Sequence, residues 1–476
     1  MLPIITLGLP VLASIIVLFI KDIRQIKQFS LIASVLMFIS TLIYLPTYLY
    51  PTSPNVVSII GMDSIFFSMD GLSYLLLLLT SFAAPLIITA SFLENHERPN
   101  IYYSLFFLTI FALTGVFTTQ NALMFYIYWE LALIPVYFIC GFWGAEGREK
   151  ITIKFFIYTL FGSLLMLVAL IYLYTKTPYP HSFHFSTLYQ VALTSVEQSW
   201  IFWAFFIAFA VKIPIFPFHT WQPDTYKVAP MSGTMLLAGI MLKMGVYGMI
   251  RLMLPITHLA VVQWGTLVTI LAVTGIIYAS IIAIRQTDIK RLFAFSSMAH
   301  VGLLAAAVLT MNKNALQGAT FQMLSHGVNV IGLFFIAGIF SNRIGEKKIS
   351  EMGGIASIAP RFAIYFMIIM LASVALPLTN GFIGEFLMLL GIFQTQPIFA
   401  VLAGTGIIFG AVYMLWLYQR SMFGKLNPTI TVFADLNLSE QLMLTVITIV
   451  IFWMGLFPSS LLHIAEPVLN QILKTY

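Results

Sequence analysis

Runs of about twenty apolar residues recur along the whole sequence, each long enough to cross a bilayer core about 30 Å thick as a helix. They lie at 2–20, 29–48, 72–93, 101–119, 121–141, 152–174, 200–219, 229–251, 258–284, 295–311, 318–341, 360–394, 398–420 and 440–462, fourteen in all. The runs are continuous, not alternating, so the expected fold is an all-α polytopic membrane protein without strands, and not a barrel. Run 2–20 lacks a cleavage pattern and is expected to be the first span, not a removable signal. Only 8% of the 476 residues are charged, against about 25% in soluble domains. That is too little charge to coat a globule of this size, which excludes a water-soluble fold. The +6 balance is dispersed, which excludes a nucleic-acid partner. A single cysteine, Cys140, rules out an intrachain disulfide and a cysteine-held iron–sulfur or zinc centre.

The loops give an orientation. If the loop after the first run is cytoplasmic and the sides alternate, seventeen basic residues fall on the cytoplasmic side. Four (Lys176, Arg251, Lys313 and Lys474) fall on the other. Lysine and arginine accumulate on the cytoplasmic side of membrane proteins, so both termini are expected on the outer, periplasmic side of a bacterial inner membrane.

Four charged residues remain inside runs: Glu130, Lys212, Lys243 and Glu385. A charge at the bilayer centre is costly, so such residues face a bundle interior or a wet cavity and mark ion or proton paths. The structural alternatives are an ion pair that only holds helices together, or a lysine that snorkels to the interface. Snorkelling is conceivable for Lys243 and poor for Glu130, which sits near the middle of its run.

Two of the four adjoin broken helices. Run 7 carries Pro214 and Pro217 just after Lys212, and run 12 is interrupted at Pro377 with Thr379-Asn380-Gly381, four residues before Glu385. Proline removes a helix donor and clashes with the preceding turn. Paired breaks in corresponding halves point to an ion site between inverted repeats. Polar stripes add to this: Gln322, His326 and Asn329 share a helix face, as do Ser296 with His300 and Thr159 with Ser163. Such stripes suit a histidine–water relay or plain interhelical hydrogen bonds. His181 and His184 are expected in a solvated loop, and His219 stands at a run boundary.

Several segments are similar to one family. They are Trp129-Glu130-Leu131-Ala132-Leu133-Ile134-Pro135, Val211-Lys212-Ile213-Pro214 through Phe218-His219-Thr220-Trp221, Leu242-Lys243-Met244-Gly245 and Asn380-Gly381-Phe382-Ile383-Gly384-Glu385. Together they resemble the antiporter-like subunits of respiratory complex I, over nearly the whole chain. Glutamate at 385, the run from Tyr413 to Arg420 and the tail Gly455-Leu456-Phe457-Pro458 fit one of the three large kinds of member better than the two that usually carry lysine there. The resemblance implies two inverted five-helix repeats, spans 4–8 within 101–251 and spans 9–13 within 258–420. These would be flanked by three helices in 1–100 and a last one in 421–476.

The resemblance also implies roles. Glu130 and Lys212 would pair in a first half-channel and Lys243 would be the central relay. His300 and His326 would form a polar axis, and Glu385 would end the second half-channel. Flavin, iron–sulfur clusters, NADH and quinone would belong to other subunits, with no cofactor or metal in this chain. Its partners would be the L-type and N-type antiporter-like neighbours, the lipid bilayer, protons and internal water. Alternative readings are the D-type subunit of a multisubunit Na+/H+ antiporter, a free-standing secondary transporter, and a passive membrane-arm scaffold.

Overall fold

A computed structural model describes residues 2–49, 57–62, 65–428, 430 and 433–474. Met1 and residues 475–476, the two ends whose side the charge count predicts, lie outside the described residues. The chain opens with α1 (Leu2–Phe19) and α2 (Ile23–Leu42), then a short antiparallel hairpin, β1 (Val57–Met62) and β2 (Ile65–Met69). Next come α3 (Gly71–Ser91), α4 (Pro99–Thr118), α5 (Ala122–Trp143), α6 (Arg148–Lys176), α7 (Ser195–Lys212) and α8 (Gln222–Val228). The central stretch is α9 (Met231–Ile256), α10 (His258–Ile284), α11 (Ile289–Leu309) and α12 (Lys313–Ile344). The chain closes with α13 (Pro360–Ser373), α14 (Asn380–Thr395), α15 (Pro397–Met422), α16 (Leu438–Leu456) and α17 (Ser459–Leu473).

Eleven of the described helical segments are long and apolar enough to cross a membrane. Shorter apolar helices lie at Thr6–Phe19 and Pro360–Ser373. The hairpin corrects the expectation of no strands. It falls between runs, and its β-branched and aromatic residues pair their backbone there instead of coiling. A second correction concerns run 440–462. Its helix stops at Leu456, Pro458 follows, and α17 begins as a separate helix whose Leu461, Ile464, Ala465, Leu469 and Ile472 are buried.

Side chains start the helices where the sequence changes from polar to apolar. Asp70 caps α3, Asn121 caps α5, Asp288 caps α11 and Asn312 caps α12 by accepting first-turn backbone N–H groups. Thr194 with Glu197 and Asn437 with Glu440 form reciprocal capping boxes on α7 and α16.

Burial sorts the bundle into a centre and a rim. The apolar windows of α9 and α12 are 100% buried and that of α11 is 94% buried, whereas α15 and α16 bury 28% and 33%. Helices apolar all round belong in a core. Here the three most enclosed helices also carry Lys243, His300 and His326.

Candidate functional site: a buried polar line beside two broken helices

The first break follows Lys212, the last residue of α7. Pro214 cannot donate to Ala210, so Ile215 N takes that carbonyl at 2.8 Å. The Val211 carbonyl left behind accepts the Trp221 indole N–H at 2.8 Å. The Ala210 and Val211 carbonyls at the break are thus satisfied inside the protein, as a break at membrane depth requires.

The second break lies between α13 and α14, where Ala375 (φ 59°) and Leu378 (φ 74°) take left-handed backbone conformations. Non-glycine residues held there cost about 1–3 kcal/mol each and cluster at functional sites. The Asn329 amide donates to the Ala372 carbonyl at 3.1 Å, and the Asn380 amide to the Ser325 carbonyl at 3.4 Å. The break is therefore tied to α12.

A line of polar contacts runs between these breaks. The Lys243 Nζ donates to the Ala238 carbonyl at 2.7 Å and lies 2.9 Å from His326 Nδ1. Residues 237–241 form π-type turns just before it, a local widening common at functional sites. With Lys243 as an ammonium, which has donors only, His326 Nδ1 would accept and the ring proton would sit on Nε2, which faces Ser297 Oγ at 3.0 Å. Ser297 and His300 are three residues apart on α11, and the two imidazoles are 6.0 Å apart between ring centres. His300 Nδ1 then meets Glu385 Oε1 at 2.7 Å, and Gln322 donates to the same oxygen at 3.3 Å. A carboxylate only accepts, so His300 donates from Nδ1, while its Nε2 is buried without a hydrogen-bond partner.

The stripe Gln322–His326–Asn329 is thus used at each position: Gln322 on Glu385, His326 on Lys243 and Asn329 on the broken helix. The stripe Ser296–His300 divides. Ser296 accepts from the Tyr413 hydroxyl at 3.0 Å, and its neighbour Ser297 joins the line.

Lys212 and Glu130 stand apart from this line and from each other. Among the described residues no ion pair within 4.0 Å joins them, and the buried Lys212 Nζ and Glu130 Oε1 have no hydrogen-bond partner. The Lys212 ammonium lies 5.5 Å over the Trp129 ring, adjacent to Glu130 in the chain. Ser163 neighbours the Glu130 carboxylate. Gly245, two residues after Lys243, brings the lysines' segments together. A Cβ there would come within 2.4 Å of the Ile213 side chain and 3.1 Å of the Phe209 carbonyl, both at the α7 break.

Gly318 does the same for the Glu385 helix, because a Cβ there would lie 2.6 Å from Met388 N and 2.9 Å from the Gly384 carbonyl. We expect Gly318→Ala to push α14 off α12 at the usual overpacking cost of about 1–3 kcal/mol. It should lower both the unfolding temperature and proton pumping. An unchanged melting curve would refute that close-packing role.

At the Glu94 end of α3 a cleft of ≈ 380 Å³ opens, lined by Glu94, His96, Trp143, Lys290 and Ser341. Glu94 accepts from the Ser232 hydroxyl, and burial pushes its carboxyl up. His96 stacks on Tyr102 at 3.7 Å between ring centres, and burial brings it down to about 4. Its 3.5 Å contact with Glu94 is therefore not an ion pair at neutral pH.

Sequence reasoning missed Asp70 and Arg251. Arg251, placed outside the run because the run's end was set there, is buried on α9 and bonded to Asp70. It stands eight residues after Lys243 within the same apolar stretch, and that spacing was the available signal. His181 and His184 bond Thr177 and Ser186 at 2.8 and 2.9 Å. His219 is buried against Phe216 and Tyr278. Among the described residues no group of three or more His, Cys, Asp or Glu is placed to hold a metal ion.

Broken helices joined by buried lysine, histidine and glutamate define a membrane protein of the ion-translocating, antiporter-like class. The family model described as NADH:quinone oxidoreductase/Mrp antiporter, transmembrane, matches residues 119–410, and that for the amino terminus of NADH-ubiquinone oxidoreductase chain 4 matches residues 1–119. The chain is 41% identical to NADH-quinone oxidoreductase subunit M of Rickettsia conorii, covering 100% of this chain and 99% of the relative. Its fold is similar to a chain in respiratory complex I from Thermus thermophilus with bound NADH (TM-score 0.90, 28% identity, 100% and 99% covered). It is also similar to a chain of the Mrp complex from a Dietzia species (TM-score 0.88, 16% identity, 99% and 97% covered), a likeness of fold alone. The chain belongs to the NADH-quinone oxidoreductase subunit M family, the antiporter-like membrane subunits of a proton-translocating oxidoreductase.

Proposed function

We propose that this chain carries protons across the membrane along Glu130, Lys212, Lys243, His326, His300 and Glu385, driven by quinone reduction in partner subunits. The observation that carries the reading is the pair of short contacts, Lys243 to His326 and His300 to Glu385, on neighbouring buried helices. His326 accepts from Lys243 on one nitrogen and donates from the other. A neutral His300 would donate from Nδ1 to Glu385 and leave its buried Nε2 free to accept. A proton released by Lys243 would move through His326, Ser297 and a bridging water to His300, and from there to Glu385. The cleft at Glu94 suits a water-facing mouth on the cytoplasmic side.

The switch belongs to Lys212 and Glu130. A carboxylate approaching an ammonium holds its proton, and withdrawal frees it. Lifting one charge through about 200 mV takes about 4.6 kcal/mol, so the switch must change proton affinity about 10³–10⁴-fold. The separated pair fits the withdrawn arrangement. The finer organisation in this reading is fourteen spans with inverted repeats in 101–251 and 258–420. Both termini face outward from a bacterial inner membrane, L-type and N-type neighbours flank the chain, and flavin, iron–sulfur clusters, NADH and quinone are held elsewhere.

The test is Lys212→Ala and Glu130→Ala in the assembled complex in proteoliposomes. NADH-driven acidification and quinone reduction should fall together, by about tenfold or more, since a positioned proton-transfer group typically contributes at least that. Wild-type pumping and turnover in both variants would overturn the assignment.

A further inference from the structure

One turn along the helix from Lys243 begins a second polar cluster that the route to Glu385 does not use. Along its own helix, Tyr247 and Arg251 follow at intervals of four residues. The Tyr247 hydroxyl lies 3.2 Å from Ser73 Oγ and 3.1 Å from the Phe117 carbonyl, and it accepts from Arg251 Nε at 3.2 Å. The buried Arg251 guanidinium also donates to the Asp70 carboxylate and, at 3.2 Å, to Ser73 Oγ. The Tyr189 hydroxyl donates to the Arg251 carbonyl at 2.8 Å. The second Asp70 oxygen accepts from Ser73 N at 3.0 Å, capping α3. Beyond the pair is a cavity of ≈ 270 Å³, whose lining includes Asp70, Gln120, Ser186, Arg251 and Gln471. It lies at the Asp70 end of α3, opposite the Glu94 cleft.

Tyr247 stands one turn beyond Lys243, so across an intervening water a proton on Lys243 could leave along α9 toward this cavity without reaching His326. One residue closes that route. A guanidinium stays charged throughout the accessible pH range, has five donors and no acceptor, and cannot take part in a chain of groups that each accept and then donate. Its fixed positive charge also repels a proton, as an arginine does in selective pores. Asp70 makes the burial of that charge tolerable and holds it in place.

We propose that Arg251, held by Asp70, is a proton barrier that seals the outer end of α9, so that a proton on Lys243 can leave only through His326 and His300. This rests on the reading above that Lys243 lies on the proton path. Losing the arginine would do more than open space, because it would leave the Asp70 carboxylate buried beside Tyr247 as a new proton acceptor.

The experiment measures passive proton flux, without NADH, after an imposed pH step across proteoliposomes holding the assembled complex, with the potential clamped by potassium and valinomycin. Arg251→Gln is expected to raise the flux about tenfold, Arg251→Lys to keep it near wild type because the charge remains, and Arg251→Gln/Lys243→Gln to bring it back down. Equal flux in wild type and Arg251→Gln overturns the proposal. So does equal leak in Arg251→Lys and Arg251→Gln, which would make packing rather than charge the cause. Should Arg251→Gln fail to assemble, Arg251→Met/Asp70→Asn serves. It removes the fixed charge together with its partner and keeps an α3 cap, so its flux should rise as well, and wild-type flux there overturns the barrier. NADH-driven pumping by Lys243→Gln alone tests the underlying path separately. Wild-type pumping there refutes the path whatever Arg251→Gln shows.

Discussion

Lys243→Gln in the assembled complex should abolish NADH-driven acidification and slow quinone reduction by about tenfold or more. The glutamine amide keeps a donor for the Ala238 carbonyl and removes the ionisable group on which the line begins, so folding is spared while the proton carrier is lost. Proton uptake and quinone reduction measured on the same vesicles decide it. A passive scaffold predicts that both persist, and persistence would refute the relay. Glu385→Gln is the paired control at the far end. It retains a partner for His300 yet cannot take up and release a proton at neutral pH, so pumping should fail with His300 still in place.

The second large effect is on stability. Arg343, at the end of α12, reaches Glu440 at 2.5 Å, the Asp435 carbonyl at 3.2 Å and the Phe433 ring at 5.1 Å. Glu440 in turn accepts from Asn437 N in the α16 capping box. Arg343→Ala strands an acid whose side chain is only 5% exposed. Breaking one side of such a pair costs about 3–5 kcal/mol, whereas replacing both with apolar residues is often neutral. The purified complex should therefore melt several degrees lower with Arg343→Ala and regain most of the loss with Arg343→Met/Glu440→Leu. An unchanged melting temperature in the single variant would show that the pair contributes nothing.

What the sequence disclosed follows from which physical rules are local. Apolar run length and prolines act on their own neighbourhood, so the membrane fold and the breaks after Lys212 and before Glu385 were legible. Charges stranded in apolar runs were legible for the same reason, which is how Glu130, Lys212, Lys243 and Glu385 stood out. Pairings across the fold were not. Ser296 and Ser297 are adjacent on one helix, and only the packing of α12 and α15 decides which meets His326 and which meets Tyr413. Arg251 was hidden by a helix end set one turn too early, because α9 continues through π-type turns to Ile256. The hairpin at 57–69 escaped because a span search reads only the length of apolar runs.

The alignment of the two imidazoles also limits how the line can be used. On the proposed route, a passing proton would leave His326 with hydrogen on the nitrogen facing Lys243 and His300 with hydrogen on the nitrogen away from Glu385. Every donor would have become an acceptor. A second proton could not follow until both rings had turned over or exchanged their hydrogens. On the proposed route the line would therefore have to be re-cocked after each passage, like a ratchet. Between resets the proposed wire would be blocked in the forward direction, so each passage would need a reset of its own.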